Sequence, residues 1–412
     1  MNTPHPLKKN ILIIGAGFSG LTLAALLQKK DIFNIVMYEK DTPGGVLQSE
    51  THAGVLIEQA ASSFLNHHEI ESFVNSYGVD IEKALPQSKK RYIFYEKLSR
   101  WPLGIVGTLY LLVKLFKFFL LSNKLLSLKG LTAEVWALQH FGYAFTDRML
   151  RPALFGIYAS DISELSAELV FARFLDPERK KNLAKHKSSV IPAGGLSPFL
   201  KTVRAELVKN EVQIIKKNLG LEELLRLKDD YIVVFAGKMT DFQELVRKKP
   251  EVFLEADSVA GWASSSQKIR QLSLTKIAVF FDNAKNRING FGVLFHPSSK
   301  FKSLGVIANS AAFATYGPEY NESWILKDGS LASVLQDRHT LFGSSDNVSS
   351  SRTKNYPDVY PVYDLALLEW IKNTHLQKGF YATGNYWGHL GLTQIFLQNL
   401  NLAEKITDDA KK

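Results

Sequence analysis

Three glycines and one acid carry the spacing that most directly specifies chemistry in this sequence. Gly15, Gly17 and Gly20 follow an apolar run at residues 11–14, and residues 21–27 read as a helix. Glu39 closes a second apolar run, residues 35–38, nineteen positions after Gly20. A strand, a glycine turn, a helix and a second strand ending in an acid form the pattern that grips a dinucleotide. Gly15 permits the tight turn, Gly17 lets the backbone approach a pyrophosphate, and Gly20 lets the helix pack on the strand. The helix N-terminus supplies unpaired N–H groups and partial positive charge. Glu39 can accept hydrogen bonds from both hydroxyls of an adenosine ribose. Lys8-Lys9 and the apolar run also resemble the start of a secretory signal peptide. The register of the glycines, the polar helix end Gln28-Lys29-Lys30 and the lack of a small-residue cleavage site before Asp31 favour the cofactor turn, so a cytoplasmic chain is expected.

Composition narrows the remaining chemistry. The 412 residues contain no cysteine, which excludes disulfides, iron–sulfur clusters, thiolate zinc sites and cysteine-tethered flavins. His67 and His68 are sequence neighbours that diverge on a helix, and no ligand spacing joins the ten histidines, so no metal is expected. The net charge of +10 suits anionic lipid or an acidic substrate. The lysines are spread along the chain and no nucleic-acid motif is visible, so no nucleic-acid partner is expected.

The elements that must position these residues read as interrupted segments. Gly44-Gly45 follow Glu39, residues 54–58 read as a short strand, and residues 92–95 as an aromatic one. A helical region spans residues 101–184. Gly194-Gly195 then lead into a helix at 196–209, followed by strands at 212–215 and 231–235. Alternating strands occupy about 275–315, with Gly290-Phe291-Gly292 between two of them, and residues 379–406 read as strand, glycine loop and helix. The fold class is therefore α/β: a Rossmann-type domain from residues 1–75, 186–258 and 355–412, a sheet-based substrate domain from 76–98 and 259–354, and a helical domain from 99–185.

Within the helical region, residues 101–127 have two readings. Their longest uncharged run, 101–113, has 13 residues and is too short to span a bilayer. Lys114, Lys117 and Lys124 fall in one sector of a helical wheel, opposite a Leu/Phe face. Such a helix can lie in a membrane interface with its lysines on anionic headgroups, or pack as a core helix with a lysine-rich solvent face.

With these pieces placed, residues 10–406 resemble the protoporphyrinogen/coproporphyrinogen oxidase family of the flavin amine-oxidase superfamily. Gly44-Gly45 matches the double glycine that follows the acid, and residues 54–58 with Ser63-Phe64-Leu65 match the next strand and Ser-Phe segment. Residues 154–161, Leu-Phe-Gly-Ile-Tyr-Ala-Ser-Asp, with Glu164-Leu165-Ser166 resemble the family's Gly-Val/Ile-Tyr-Ala-Gly-Asp…Glu-Leu-Ser signature. Gly194-Gly195-Leu196, residues 290–294 with Pro297-Ser298-Ser299, and residues 382–386 through Gly391-Leu392 complete the series. The chain departs from the pattern at Val46, where Arg or Lys is usual, and at Ala60-Ala61, which replace Gly-Pro. It also departs at Ser160, Thr393-Gln394 and Gln398-Asn399.

The resemblance implies FAD as cofactor and a porphyrinogen as substrate, oxidised in two-electron steps with molecular oxygen as acceptor. It implies cofactor contacts at Gly15, Gly17, Phe18, Ser19, Gly20, Glu39, Lys40, Gly44, Gly45 and Val46. Val212 would lie on the adenine side, and Gly384, Leu392 and Thr393 at the flavin end. Arg91 would meet a propionate, and Gly156, Phe291, Gly292 and Leu294 the macrocycle. Phe291 and Leu294 could equally be core, and Arg91 part of a solvated charge run with Lys89 and Lys90. Asn385, Tyr386, Trp387 and His389 would line the flavin or pack beneath it. No acid–base pair of suitable spacing marks a catalytic side chain. Attachment to the inner face of the cell membrane and a homodimer are compatible with the resemblance. An amine or polyene oxidase on the same fold, or a non-catalytic flavin-binding relative, are the alternatives.

Overall fold

The computed structural model describes residues 8–52, 54–101, 127–175, 188–344 and 346–412. The stretch 102–126, which carries most of the membrane-contact expectation, lies outside the described residues.

The apolar run after Lys8 becomes β1 (Lys9–Ile14), whose Ile11, Leu12 and Ile13 are almost completely buried. Burial on both faces is what a central parallel strand requires. Helix α1 (Phe18–Gln28) returns the chain to β2 (Phe33–Glu39), which pairs with β1 in parallel from Lys9↔Phe33 to Ile14↔Tyr38. β10 (Gln213–Lys216), β11 (Ile232–Phe235) and β17 (Phe380–Ala382) complete a parallel sheet of order β10-β2-β1-β11-β17. The order changes direction at β1, so a crevice opens at its carboxyl end, where ligands bind in such sheets.

A second, mixed sheet has the order β16-β12-β15-β14-β13-β7-β8. Its strands are β7 (Arg91–Phe94), β8 (Leu98–Trp101), β12 (Gln271–Phe281), β13 (Gly292–Phe295), β14 (Ser303–Ala308), β15 (Asn321–Leu326) and β16 (Val348–Pro361). All its pairings are antiparallel except β13 with β7. β16 runs as one strand past residue 355, where the sequence suggests a boundary, because its ladder with β12 extends from Val348 to Pro361.

Two smaller pieces couple the sheets. The hairpin β3 (Ser49–His52) and β4 (Val55–Glu58) lies against the second sheet through Val55, Ile57, Ala278 and Phe280. The strands β5 (Phe64–Leu65), β6 (Ile81–Lys83) and β9 (Ser189–Pro192) form a three-stranded sheet. One large apolar cluster joins α1, the parallel sheet, α4 (Leu196–Lys209) and α5 (Leu392–Lys411) to Phe313 and Tyr316, which follow β14 of the second sheet. The helical region contributes α2 (Ala133–Phe141) and α3 (Arg151–Tyr158), separated by a π-helical turn at Thr146–Leu150. Among the described residues, no helix is long and apolar enough to cross a membrane.

Candidate cofactor and substrate site

The glycine turn shows which of its glycines the protein itself demands. A Cβ on Gly20 would lie 1.9 Å from Gly15 O, and Gly15, with φ 105°, would place a Cβ 2.8 Å from Gly237 N. Gly17 differs. Its φ of −75° suits any residue, and an added Cβ would meet only Gly45 Cα at 3.9 Å. The space before Gly17 is open, so the protein itself does not require glycine there, and room is left for a ligand to approach the backbone. Gly17 also caps α1 without a side-chain hydrogen bond, and no acid occupies the first turn. The first N–H groups of α1 are left for an anion. The Gly44–Gly45 loop runs beside this opening, with Gly44 N–H donating to Ala16 O at 2.7 Å and a parallel bridge between Gly17 and Gly44. The Val46 side chain is exposed at the rim. Phe18 is buried against Phe64, so only its backbone faces the turn.

Glu39 is buried at the carboxyl end of β2. Its Oε2 accepts the Ala16 N–H at 2.7 Å and its Oε1 the Asp41 N–H at 2.8 Å. A carboxylate has about four acceptor positions, so both oxygens keep capacity for ribose hydroxyls. Two other expected contacts, Lys40 and Val212, have protein partners of their own. The Lys40 ammonium is engaged by Asp241 at 2.7 Å. Val212 is buried in the core and precedes Gln213, which pairs with Val36. It therefore lies at the amino end of the sheet, while Lys216 is the residue level with Glu39.

The far end of the crevice is formed where β17 meets α5. Gly384, with φ 134°, follows β17, and α5 begins after Gly391 without a side-chain cap or an acid in its first turn. Thr393 Oγ1 donates to Leu65 O at 2.7 Å, and Leu392 packs partly buried on the main cluster. Asn399, a departure from the family pattern, is fully buried and fastens α5 to α1. Its Nδ2 donates to Ser19 O and Thr22 Oγ1, both at 2.8 Å, and its Oδ1 accepts from Thr383 Oγ1. Nothing in the local pattern announces this clasp, because its partners are remote in sequence. Asn399→Ala should cost about 2 kcal/mol in chemical denaturation, through lost and unsatisfied hydrogen bonds. A change below about 0.5 kcal/mol would show that the clasp is dispensable. Tyr386 is buried with Phe242 and Trp370, which places it beneath the site rather than in its lining.

On the second sheet, Arg91 and Phe291 come together, with the guanidinium 5.0 Å from the ring centroid. The Arg91 side chain is exposed and has no carboxylate partner among the described residues. Phe291 is partly buried against the large apolar cluster that also takes Leu392 and Phe18. Gly292 pairs with Arg91, and its lack of a side chain is imposed by β14, since a Cβ would lie 2.1 Å from Val306 O. Gly156 and Leu294 pack against each other: a Cβ on Gly156 would lie 2.4 Å from Leu294 Cδ2. That pair seats α3 on β13.

Comparison with known proteins follows this geometry. Residues 13–77 match the sequence family described as an NAD(P)-binding Rossmann-like domain. The chain is 27% identical to protoporphyrinogen oxidase 2, chloroplastic/mitochondrial, of Arabidopsis thaliana, over 97% of its own length and 94% of the relative's. It is 23% identical to coproporphyrinogen III oxidase of Staphylococcus aureus, over 60% of its own length. Of that relative the chain spans 62%. A solved structure from Exiguobacterium sp. 255-15, provisionally named a protoporphyrinogen oxidase, superposes with a TM-score of 0.74 at 15% identity, covering 99% of this chain and 100% of that one. The chain is thus similar in sequence to protoporphyrinogen and coproporphyrinogen oxidases and shares its fold with a solved structure of that kind. The cradle at Gly17, the buried acid Glu39 and the two uncapped helix ends fit FAD. Gly15, Gly17, Gly20 and Gly44-Gly45 would flank its pyrophosphate, Glu39 its ribose, and the start of α5 its flavin half.

Proposed function

We propose that this protein is an FAD-dependent oxidase that converts a porphyrinogen, protoporphyrinogen IX or coproporphyrinogen III, to the porphyrin with molecular oxygen as acceptor. Two-electron redox chemistry is supplied by FAD when bound. The chain contributes placement: the glycine turn and Glu39 fix the dinucleotide, and the Phe291 wall offers an apolar surface for a flat macrocycle.

The observation that carries this reading is Arg91. A guanidinium stacked on Phe291, with no carboxylate partner among the described residues, suits a propionate, whose two oxygens its planar fork can bind together. It argues against an amine substrate, which would bring a like charge beside it. The names of the relatives from Staphylococcus aureus and Arabidopsis thaliana agree in substrate class and divide between the two porphyrinogens.

The test is the visible spectrum of the purified protein, followed by porphyrin fluorescence from each porphyrinogen in air. Arg91→Ala should raise KM by about tenfold, the loss of one charge-assisted contact, while kcat stays within about twofold. A fall in kcat at unchanged KM would remove the propionate role.

Attachment to the inner face of a membrane belongs to the same proposal. Val135 and Leu138 on α2, Tyr143 after it and Ile157 on α3 expose apolar side chains on neighbouring elements of the helical region. Anionic vesicles that fail to pull down the protein would count against it.

A further inference from the structure

Lys276 is the one buried lysine whose ammonium, among the described residues, is spent on the turn beside the cofactor crevice. It sits on β12, almost wholly buried. Its Nζ donates to Glu58 O at 2.7 Å, Ala60 O at 3.0 Å and Ser62 Oγ at 3.3 Å. Gln59 N–H in the 58–62 turn donates to Gln48 O, next to the Gly44–Gly45 loop, and just beyond the turn Leu65 O on β5 accepts from Thr393 at the start of α5. Ala60 and Ala61 pack on the same cluster as Phe291 and Leu392.

In a trans peptide the carbonyl and the following N–H point in opposite directions. With Ala60 O turned to Lys276, the Ala61 N–H points away from the second sheet, and it has no acceptor among the described residues. At this position the family pattern has a proline, which carries no N–H.

We propose that Lys276 is a positioning residue for the redox-active ring: from behind the turn it fixes the Ala60–Ala61 peptide so that its N–H, backed by a buried positive charge, faces the electron-rich edge of that ring. This rests on the FAD reading above. A fixed donor and charge at that place stabilise negative charge as it develops there.

The charge is titratable within an accessible range. Burial lowers the Lys276 ammonium to about 8, with the Glu58 carboxylate opposing the shift. Glu58 faces it from β4, held by Leu196 N–H at 2.7 Å and Ser49 Oγ at 2.8 Å, and burial raises that carboxyl in turn. Tyr316 approaches from the turn after β14, its hydroxyl donating to Ser62 O and its own ionisation pushed well up by burial. Nearby, Glu82 accepts Thr315 N–H. Lys354 lies opposite on β16, and Ile325 opposite on β15 adds no charge. On the hairpin, Glu50 is paired with Arg352 at 3.2 Å, and His52 contacts Arg352 and Ser350. The positive charge is thus present below pH 8 and lost above it.

Sulfite is a suitable probe, because it adds to oxidised flavins whose surroundings stabilise the resulting negative charge. FAD-loaded Lys276→Met should bind sulfite about tenfold more weakly than the wild-type holoprotein at about pH 7, and the difference should shrink by about pH 9. Equal dissociation constants in the two FAD-loaded proteins would overturn the proposal. Should Lys276→Met not fold, the wild-type holoprotein decides alone: the visible spectrum of its FAD should shift with a midpoint near pH 8, and a spectrum constant from about pH 7 to 9 would overturn the proposal. A wild-type protein that takes up no FAD would instead remove the cofactor reading on which it rests.

Discussion

Gly20→Ala should yield little folded protein, whereas Gly17→Ala should fold and lose most of its flavin. The two glycines stand three residues apart in one motif, yet their surroundings differ. A Cβ at residue 20 would lie 1.9 Å from the Gly15 carbonyl oxygen and 3.0 Å from its carbon. Those are backbone atoms of the turn, which cannot retreat without separating α1 from β1. Overpacking commonly costs 1–3 kcal/mol, and an immovable backbone neighbour puts this case at or above about 3, out of a total stability of roughly 5–15. At residue 17 the only neighbour of an added Cβ is Gly45 Cα at 3.9 Å, and the backbone is already in a region open to alanine. The apo-protein should therefore melt within a few degrees of wild type, the scale of about 1 kcal/mol. A pyrophosphate held off the first N–H groups of α1 loses charge-assisted hydrogen bonds worth about 1.5–3 kcal/mol each, or roughly 10–100-fold in affinity. Apo-protein melting temperature and flavin absorbance per protein read the two effects separately. A Gly17→Ala protein with its full complement of flavin would remove the pyrophosphate from this turn.

That contrast also marks what could be read from the sequence. The turn, the acid and the central strand are local: each lies within thirty residues of the next, and its pattern follows from backbone geometry. The parallel sheet, α4, α5 and the strands around Gly292 were legible for the same reason. For Val212 a strand's pattern gives its faces but not the level at which it stands; that depends on the neighbouring strand, where Glu39 is level with Lys216. Gly156 and Leu294 were matched to the macrocycle, and the structure spends them on each other, a contact across 138 residues that no spacing reveals. Lys276 carries no mark of its own in the sequence, one lysine on an apolar strand. Only the docking of the β3–β4 hairpin beneath it turns its ammonium inward. Asn399 is similar, a change near the end of the chain whose partners stand at its beginning and in β17's exit.

Glu39→Ala should give mostly colourless protein, and its effect should exceed the loss of ribose contacts alone. The carboxylate does two things at once. It presents acceptors at the end of β2, where the adenosine ribose would lie, and it pins the turn by accepting the N–H of Ala16 and of Asp41. Alanine removes both acceptors and leaves the Ala16 N–H, in the tightest part of the turn, without its partner. An unsatisfied buried donor costs about 1–3 kcal/mol, and a lost hydrogen bond to a charged group about 1.5–3. Taken together these predict FAD affinity lowered by more than about 100-fold. Adding FAD to the apo-variant and following flavin fluorescence quenching gives the dissociation constant directly. Glu39→Gln separates the two roles: one oxygen can still accept from Ala16, so the turn is partly kept, while the acceptor pair for two ribose hydroxyls is lost. It should therefore fall between alanine and wild type. If Glu39→Gln bound FAD as weakly as Glu39→Ala, pinning of the turn would contribute nothing. If Glu39→Ala kept wild-type affinity, the ribose would not lie at this acid.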